Sequence, residues 1–91
     1  MDGDFRSATL QVERRVGLIG SQDLLYLYAR FKHVNDGDCN TVCPAIWDLS
    51  KRKKWYAWNS LKGSTKQDAK LQYYEKVQQL FPDWVPDDDS K

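Results

Sequence analysis

The sequence predicts an all-α fold of four helices. Three observations carry that expectation. Apolar residues recur at three- and four-residue spacing in four separate stretches, the period of one helix face. Those stretches are punctuated by Gly17 and Gly20, by Asn35-Asp36-Gly37 and by Gly63, residue types that end helices. Nowhere does the apolar pattern alternate as in a strand, and there is no internal repeat.

Phe5, Ala8, Val12 and Val16 form the stripe of the first helix, with Arg6, Arg14 and Arg15 on its wet side. Ser21 is the expected N-cap of the second, and Asp23 falls in its first turn, where a carboxylate suits the helix dipole. The second stripe is Leu24, Leu27, Tyr28, Phe31 and Val34. Residues 36–48 hold Gly37, Pro44 and several polar side chains and read as an ordered loop. Asp48 or Ser50 caps the third helix, whose stripe is Trp55, Trp58 and Leu61. The pair of indoles is expected to anchor the core. Ser64-Thr65-x-Gln67-Asp68 offers two overlapping capping boxes for the fourth helix. Its stripe is Ala69, Tyr73, Val77, Leu80, Phe81 and Trp84, and Pro82 should end or distort it.

With 91 residues the chain has room for one core, placed at 3–82, followed by an acidic tail or linker over 83–91. The formal charge of +1 is uneven: residues 1–82 carry a net +4, while Asp83, Asp87, Asp88 and Asp89 crowd the end. That modest excess suits a small polyanion and is thin for a nucleic acid, whose binding needs many phosphate contacts. Cys39 and Cys43 are the only cysteines. With no signal-like apolar run and no span of transmembrane length, reduced thiols in an intracellular protein are expected.

Tyr28 and Lys32 stand four apart and share a helix face, with Phe31 beside them. A phenol, a flat ring and an ammonium on one surface suit a phosphate next to an aromatic base. The same residues also read as a core stripe flanked by a solvated lysine. Lys51-Arg52-Lys53-Lys54 is a basic run, of which only Lys54 directly precedes an indole. Tyr73 reads first as core, with a hydroxyl that seeks a partner. His33, Asp38, Cys39 and Cys43 match no paired zinc-ligand spacing, so no metal is expected. His33 is the sole histidine, and neither a glycine-rich phosphate loop nor a nucleophile elbow is present; no catalytic residues are expected.

Taken together, several spaced blocks resemble the acyl-CoA-binding protein family, over Phe5 to about Leu80. They are LLYLYARFK (24–32), GDCNT (37–41), Pro44, KKWYAWNSLKG (53–63) and DAKLQYYEKV (68–77). The resemblance implies a four-helix, up-down-down-up bundle that binds one medium- to long-chain fatty acyl-CoA without covalent chemistry and without a cofactor. It implies that Tyr28, Phe31 and Lys32 contact the adenine and 3′-phosphate region, that Lys54 contacts phosphate, and that Tyr73 contacts the ligand. Arg14 and Lys51 stand beside positions where the family often has lysine and take secondary roles. Leu24 and Leu25 are suited to cover the acyl chain. The chain departs from the family pattern at Glu13, Phe31, Ala45, Ser50 and Tyr56, which bears on affinity more than on the fold. LYLYARFK, CNT and FPDW look most like the subset whose members add ankyrin repeats.

The expected function is therefore binding, protection and carriage of acyl-CoA esters by a monomer. Its location would be the cytoplasm, or the nucleus as well, and its recipients acyl-CoA-using enzymes. A helical protein-interaction module without ligand is the alternative, kept open by Glu13, Phe31 and Ser50. A nucleic-acid reading through Lys51 to Lys54 is disfavoured by the low net charge.

Overall fold

The computed structural model describes residues 2–85; the tail expected over 83–91 lies, from Pro86 onward, outside the described residues. Helix α1 spans Asp2–Arg14, α2 Ser21–Asp36, α3 Leu49–Asn59 and α4 Lys66–Leu80, with a short 3₁₀ turn at Val16–Leu18. There is no strand among the described residues. The chain is a four-helix up-down-down-up bundle in which α4 packs against α1 and α2, and α2 against α3.

The main core is Ala8, Ile19, Leu27, Tyr73, Val77 and Phe81, with Phe5, Val12, Leu24, Tyr26 and Trp84 packed around it. The stripe expected for α1 holds as far as Val12. Val16 does not continue it: the helix ends at Arg14, the chain tightens into the 3₁₀ turn, and Ile19 is buried instead while Val16 is half exposed. In α2 the buried residues are Leu27, Ala29 and His33, whereas Phe31 lies at the surface. Having neighbours on two sides, α2 buries more than one stripe, and a single period does not describe it.

The caps sort out the open choices. Asp48 caps α3 by accepting the Lys51 N–H at 3.2 Å, and Thr65 caps α4 by accepting the Asp68 N–H at 3.0 Å. Ser21 is not the cap of α2. The ladder already starts with the Leu24 N–H donating to the Gly20 carbonyl, so Gly20 is the capping residue and Ser21 is the first helical one. Asp23 does lie in the first turn and pairs with Lys76 of α4 at 3.2 Å. At the far end of α2, Gly37 turns the chain with φ +79°, a conformation that favours glycine. Gly63 does the same with φ +88°, but α3 stops earlier, at Asn59, and residues 60–63 unwind through i→i+3 turns. Phe81, forced out of helical geometry by the following Pro82, ends α4.

The indoles divide their work. Trp58 is buried and its Nε1 donates to the Gly37 carbonyl at 2.8 Å. Trp55 is only half-buried, and its Nε1 donates to the Thr41 carbonyl at 3.0 Å. Arg52 adds a bond to the Pro44 carbonyl at 2.9 Å, and Asp38 accepts the Gly63 N–H at 3.0 Å. These bonds lash the irregular 37–48 connection to α3 and to the turn that follows it. His33, fully buried, fastens α2 to the start of α4: its Nε2 lies 2.6 Å from the Ser64 carbonyl. A carbonyl only accepts, so that nitrogen carries the proton.

Candidate functional site

Two hollows open side by side between α2 and α3. The first, about 490 Å³, is bounded by Tyr28, Lys32 and Asp36 of α2, by Asn40, Thr41 and Pro44 of the connection, and by Lys51, Lys54, Trp55 and Trp58 of α3. Its floor is aromatic and its rim is cationic, with three ammonium groups against one carboxylate. Lys54 Nζ sits 5.6 Å from the centre of the Tyr28 ring, and Lys32 Nζ 5.1 Å from that of Trp58. Cations over aromatic faces are held in place without losing their charge. Lys32 also pairs with Asp36 at 2.6 Å, a hydrogen bond that raises the ammonium above its ordinary pKa. Lys51 pairs with Asp48 at 3.7 Å.

The local sequence explains this concentration of charge. Lys51 and Lys54 fall three apart on α3, hence on one side of it. The one carboxylate at this helix end is the Asp48 cap, which offsets the helix dipole and part of the Lys51 charge but not Lys54. Repulsion among the lysines disfavours the helix end and favours an anion in the hollow.

The second hollow, about 750 Å³, has Leu24, Leu25 and Tyr28 on the α2 side and Ser50, Lys53 and Lys54 on the α3 side, with Ser21 and Gln22 at its edge. Tyr28 and Lys54 line both hollows and so stand at their junction. A charged compartment and an apolar one thus adjoin across a single phenol–ammonium pair.

Of the residues singled out from sequence, the structure brings Tyr28, Lys32, Lys51 and Lys54 to the first hollow and Leu24 and Leu25 to the second. Three lie elsewhere. Phe31 is 43% exposed and stacks on Phe5 at 6.4 Å, outside both linings. Tyr73 is buried in the core, edge-on to the same Phe5 at 5.1 Å, and burial drives its phenol well above the ordinary range. Arg14 is exposed on the last turn of α1. Sequence reasoning missed Asp36, Asn40, Thr41, Ser50 and Lys53 as lining residues. For Asp36 a signal was present, four residues after Lys32 on a helix. For Asn40 and Thr41 there was none beyond their place in the GDCNT block. Among the described residues, no three His, Cys, Asp or Glu side chains are grouped to hold a metal ion. No helix among them is long and apolar enough to cross a membrane.

Fold and site together define an all-α ligand-binding domain with adjoining cationic and apolar compartments. The family model described as Acyl CoA binding protein matches residues 2–77, and the chain belongs to the acyl-CoA-binding protein family. Acyl-CoA-binding domain-containing protein 6 of Xenopus laevis is 42% identical over 82 residues, 90% of this chain and 29% of that protein. The protein of the same name from Mus musculus is 40% identical over 82 residues, again 90% of this chain and 29% of the relative. The chain therefore spans less than a third of these relatives' length. Among solved structures, the acyl-CoA-binding protein of Moniliophthora perniciosa superposes with a TM-score of 0.84 at 30% identity, covering 91% of this chain and 82% of that one. Acyl-CoA-binding protein 2 of Oryza sativa gives 0.81 at 31% identity, with 88% and 89% covered.

Proposed function

We propose that this chain binds medium- to long-chain fatty acyl-CoA thioesters without covalent chemistry, shields them from water and carries them to acyl-using enzymes, as a cytoplasmic monomer. The observation that carries this reading is the junction at Tyr28 and Lys54, where a hollow ringed by lysines meets one walled by leucines. An acyl-CoA has the matching division, phosphates at one end and hydrocarbon at the other. In this reading Lys32, Lys51 and Lys54 hold the phosphates by charge-assisted hydrogen bonds. The exposed ring of Phe31, one residue before Lys32, offers a face to the adenine, with Phe5 and Tyr73 supporting it from the core. Leu24 and Leu25 cover the acyl chain, at about 0.8 kcal/mol for each methylene removed from water. Arg14 reaches the phosphates only if its side chain swings across from α1.

Calorimetric titration with palmitoyl-CoA, free CoA and palmitate tests the reading. The thioester should bind far more tightly than either fragment, because only it fills both hollows. Lys32→Ala and Lys54→Ala should each weaken it by roughly 1.5–3 kcal/mol, and Leu25→Asp should weaken palmitoyl-CoA more than free CoA. Unchanged affinity in the double lysine variant would end the phosphate assignment. No binding of any of the three would point to a protein-interaction module instead.

A further inference from the structure

The 37–48 connection ends in a feature that lies outside the linings of both hollows. Ile46 and Trp47 occupy the corner of a tight turn closed by the Asp48 N–H donating to the Ala45 carbonyl at 2.9 Å. Turn corners ordinarily take glycine, proline, asparagine, aspartate or serine. Here they carry two large apolar side chains, 74% and 83% exposed, and neither lines a hollow. Val42 before them and Leu49 after them are also largely in water.

This exposure does not come from a loose loop. The Trp55 and Arg52 hydrogen bonds to Thr41 and Pro44 pin the connection before the turn, and Asp48 caps α3 directly after it. The turn is a fixed, convex projection. The stretch of chain around it is strongly cationic: residues 39–67 contain six lysines and arginines and a single acidic residue, Asp48. Lys51 and Lys53 are exposed on the first turns of α3, which begins two residues after Trp47, while the Arg52 guanidinium is drawn inward by Pro44 and Tyr56.

We propose that this turn docks the protein onto the anionic surface of a phospholipid bilayer. Ile46 and Trp47 enter the boundary between headgroups and acyl chains, where indoles are favoured. Lys51 and Lys53 meet the lipid phosphates, each lysine near such a surface strengthening attachment about fivefold. An exposed apolar tip followed by the exposed lysines of α3 fits a soft, charged plane, whereas a protein partner would have to supply a pocket for it. Pro44 and Lys51 also border the first hollow, so docking sets the mouth of that hollow against the membrane. The value of that placement rests on the acyl-CoA reading; the docking itself does not.

Co-sedimentation of the ligand-free protein with vesicles tests the proposal, using phosphatidylcholine with or without phosphatidylserine. The protein should pellet with the anionic vesicles, be released by salt, and stay in solution with the neutral ones. The Ile46→Ser/Trp47→Ser variant should partition about tenfold more weakly. Its far-ultraviolet circular dichroism and its affinity for palmitoyl-CoA in solution should not change, since both side chains are exposed and line neither hollow. Unaltered partitioning of the variant, equal pelleting with neutral vesicles, or failure of the wild-type protein to pellet would each overturn the proposal. Because no acyl-CoA is present during sedimentation, a failure here is distinct from a failure of ligand binding.

Discussion

Lys32 is engaged twice before any ligand arrives, by Asp36 at 2.6 Å and by the face of Trp58. An incoming phosphate must compete with the carboxylate for that ammonium. Asp36→Asn removes the competitor and leaves the shape unchanged, so affinity for free CoA should rise about two- to fivefold at low ionic strength, the range of an exposed ion pair. Titration calorimetry reads the change, and an equal or weaker affinity would show that Asp36 positions the lysine rather than opposing its ligand. Tyr73 gives a second prediction at this scale. Burial holds its phenol neutral in the fold, above the value near 10 of an unfolded tyrosine. The resulting stability is complete below about pH 10 and drains away as pH rises above it, because only the unfolded chain ionises there. Of the five tyrosines, at least this one should ionise together with alkaline unfolding in a spectroscopic titration. Full ionisation of every tyrosine in the folded protein would contradict its burial.

Each helix shows what can be read from spacing and what cannot. Ala8, Leu27, Trp58, Leu61, Ala69, Tyr73, Val77 and Phe81 stand at expected apolar positions and are buried, because in each case the helix period and the packing face agree. Agreement fails where tertiary structure adds a constraint. Val16 lost its place to Ile19 when α1 ended early, and Phe31 lies on a side of α2 that no helix covers completely. The pairing of Tyr28 with Lys32 was legible because it is local to one helix. The lining by Asn40 and Thr41 was not, since long-range bonds from Trp58 and Trp55 set the path of the connection and no local rule encodes them. The caps offer a sharp test. Thr65→Ala should destabilise the protein by about 1 kcal/mol, whereas Ser64→Ala should be close to neutral, its carbonyl remaining for His33. Urea denaturation compares the two, and equal losses would mean that α4 begins one residue earlier.

For the molecule as a whole, binding and folding are linked. A ligand held between α2 and α3 stabilises only the native state, by about 2.7 kcal/mol when present at a hundredfold excess over Kd. In a domain of this size that corresponds to a rise of roughly 10–20 °C in the midpoint of thermal unfolding. Palmitoyl-CoA should produce such a shift in the wild-type protein and a much smaller one after Lys32→Ala and Lys54→Ala are combined. Equal shifts in both proteins would place the ligand somewhere other than the lysine-ringed hollow.

The indole donors that tie residues 37 and 41 to α3 also bear on timing. A wall fastened in this way does not swing, so no opening of the 37–48 connection has to precede capture. Uptake is then governed by encounter and orientation. How long a passenger stays is set by the strength of its grip, and stopped-flow release rates should track affinity across acyl chain lengths.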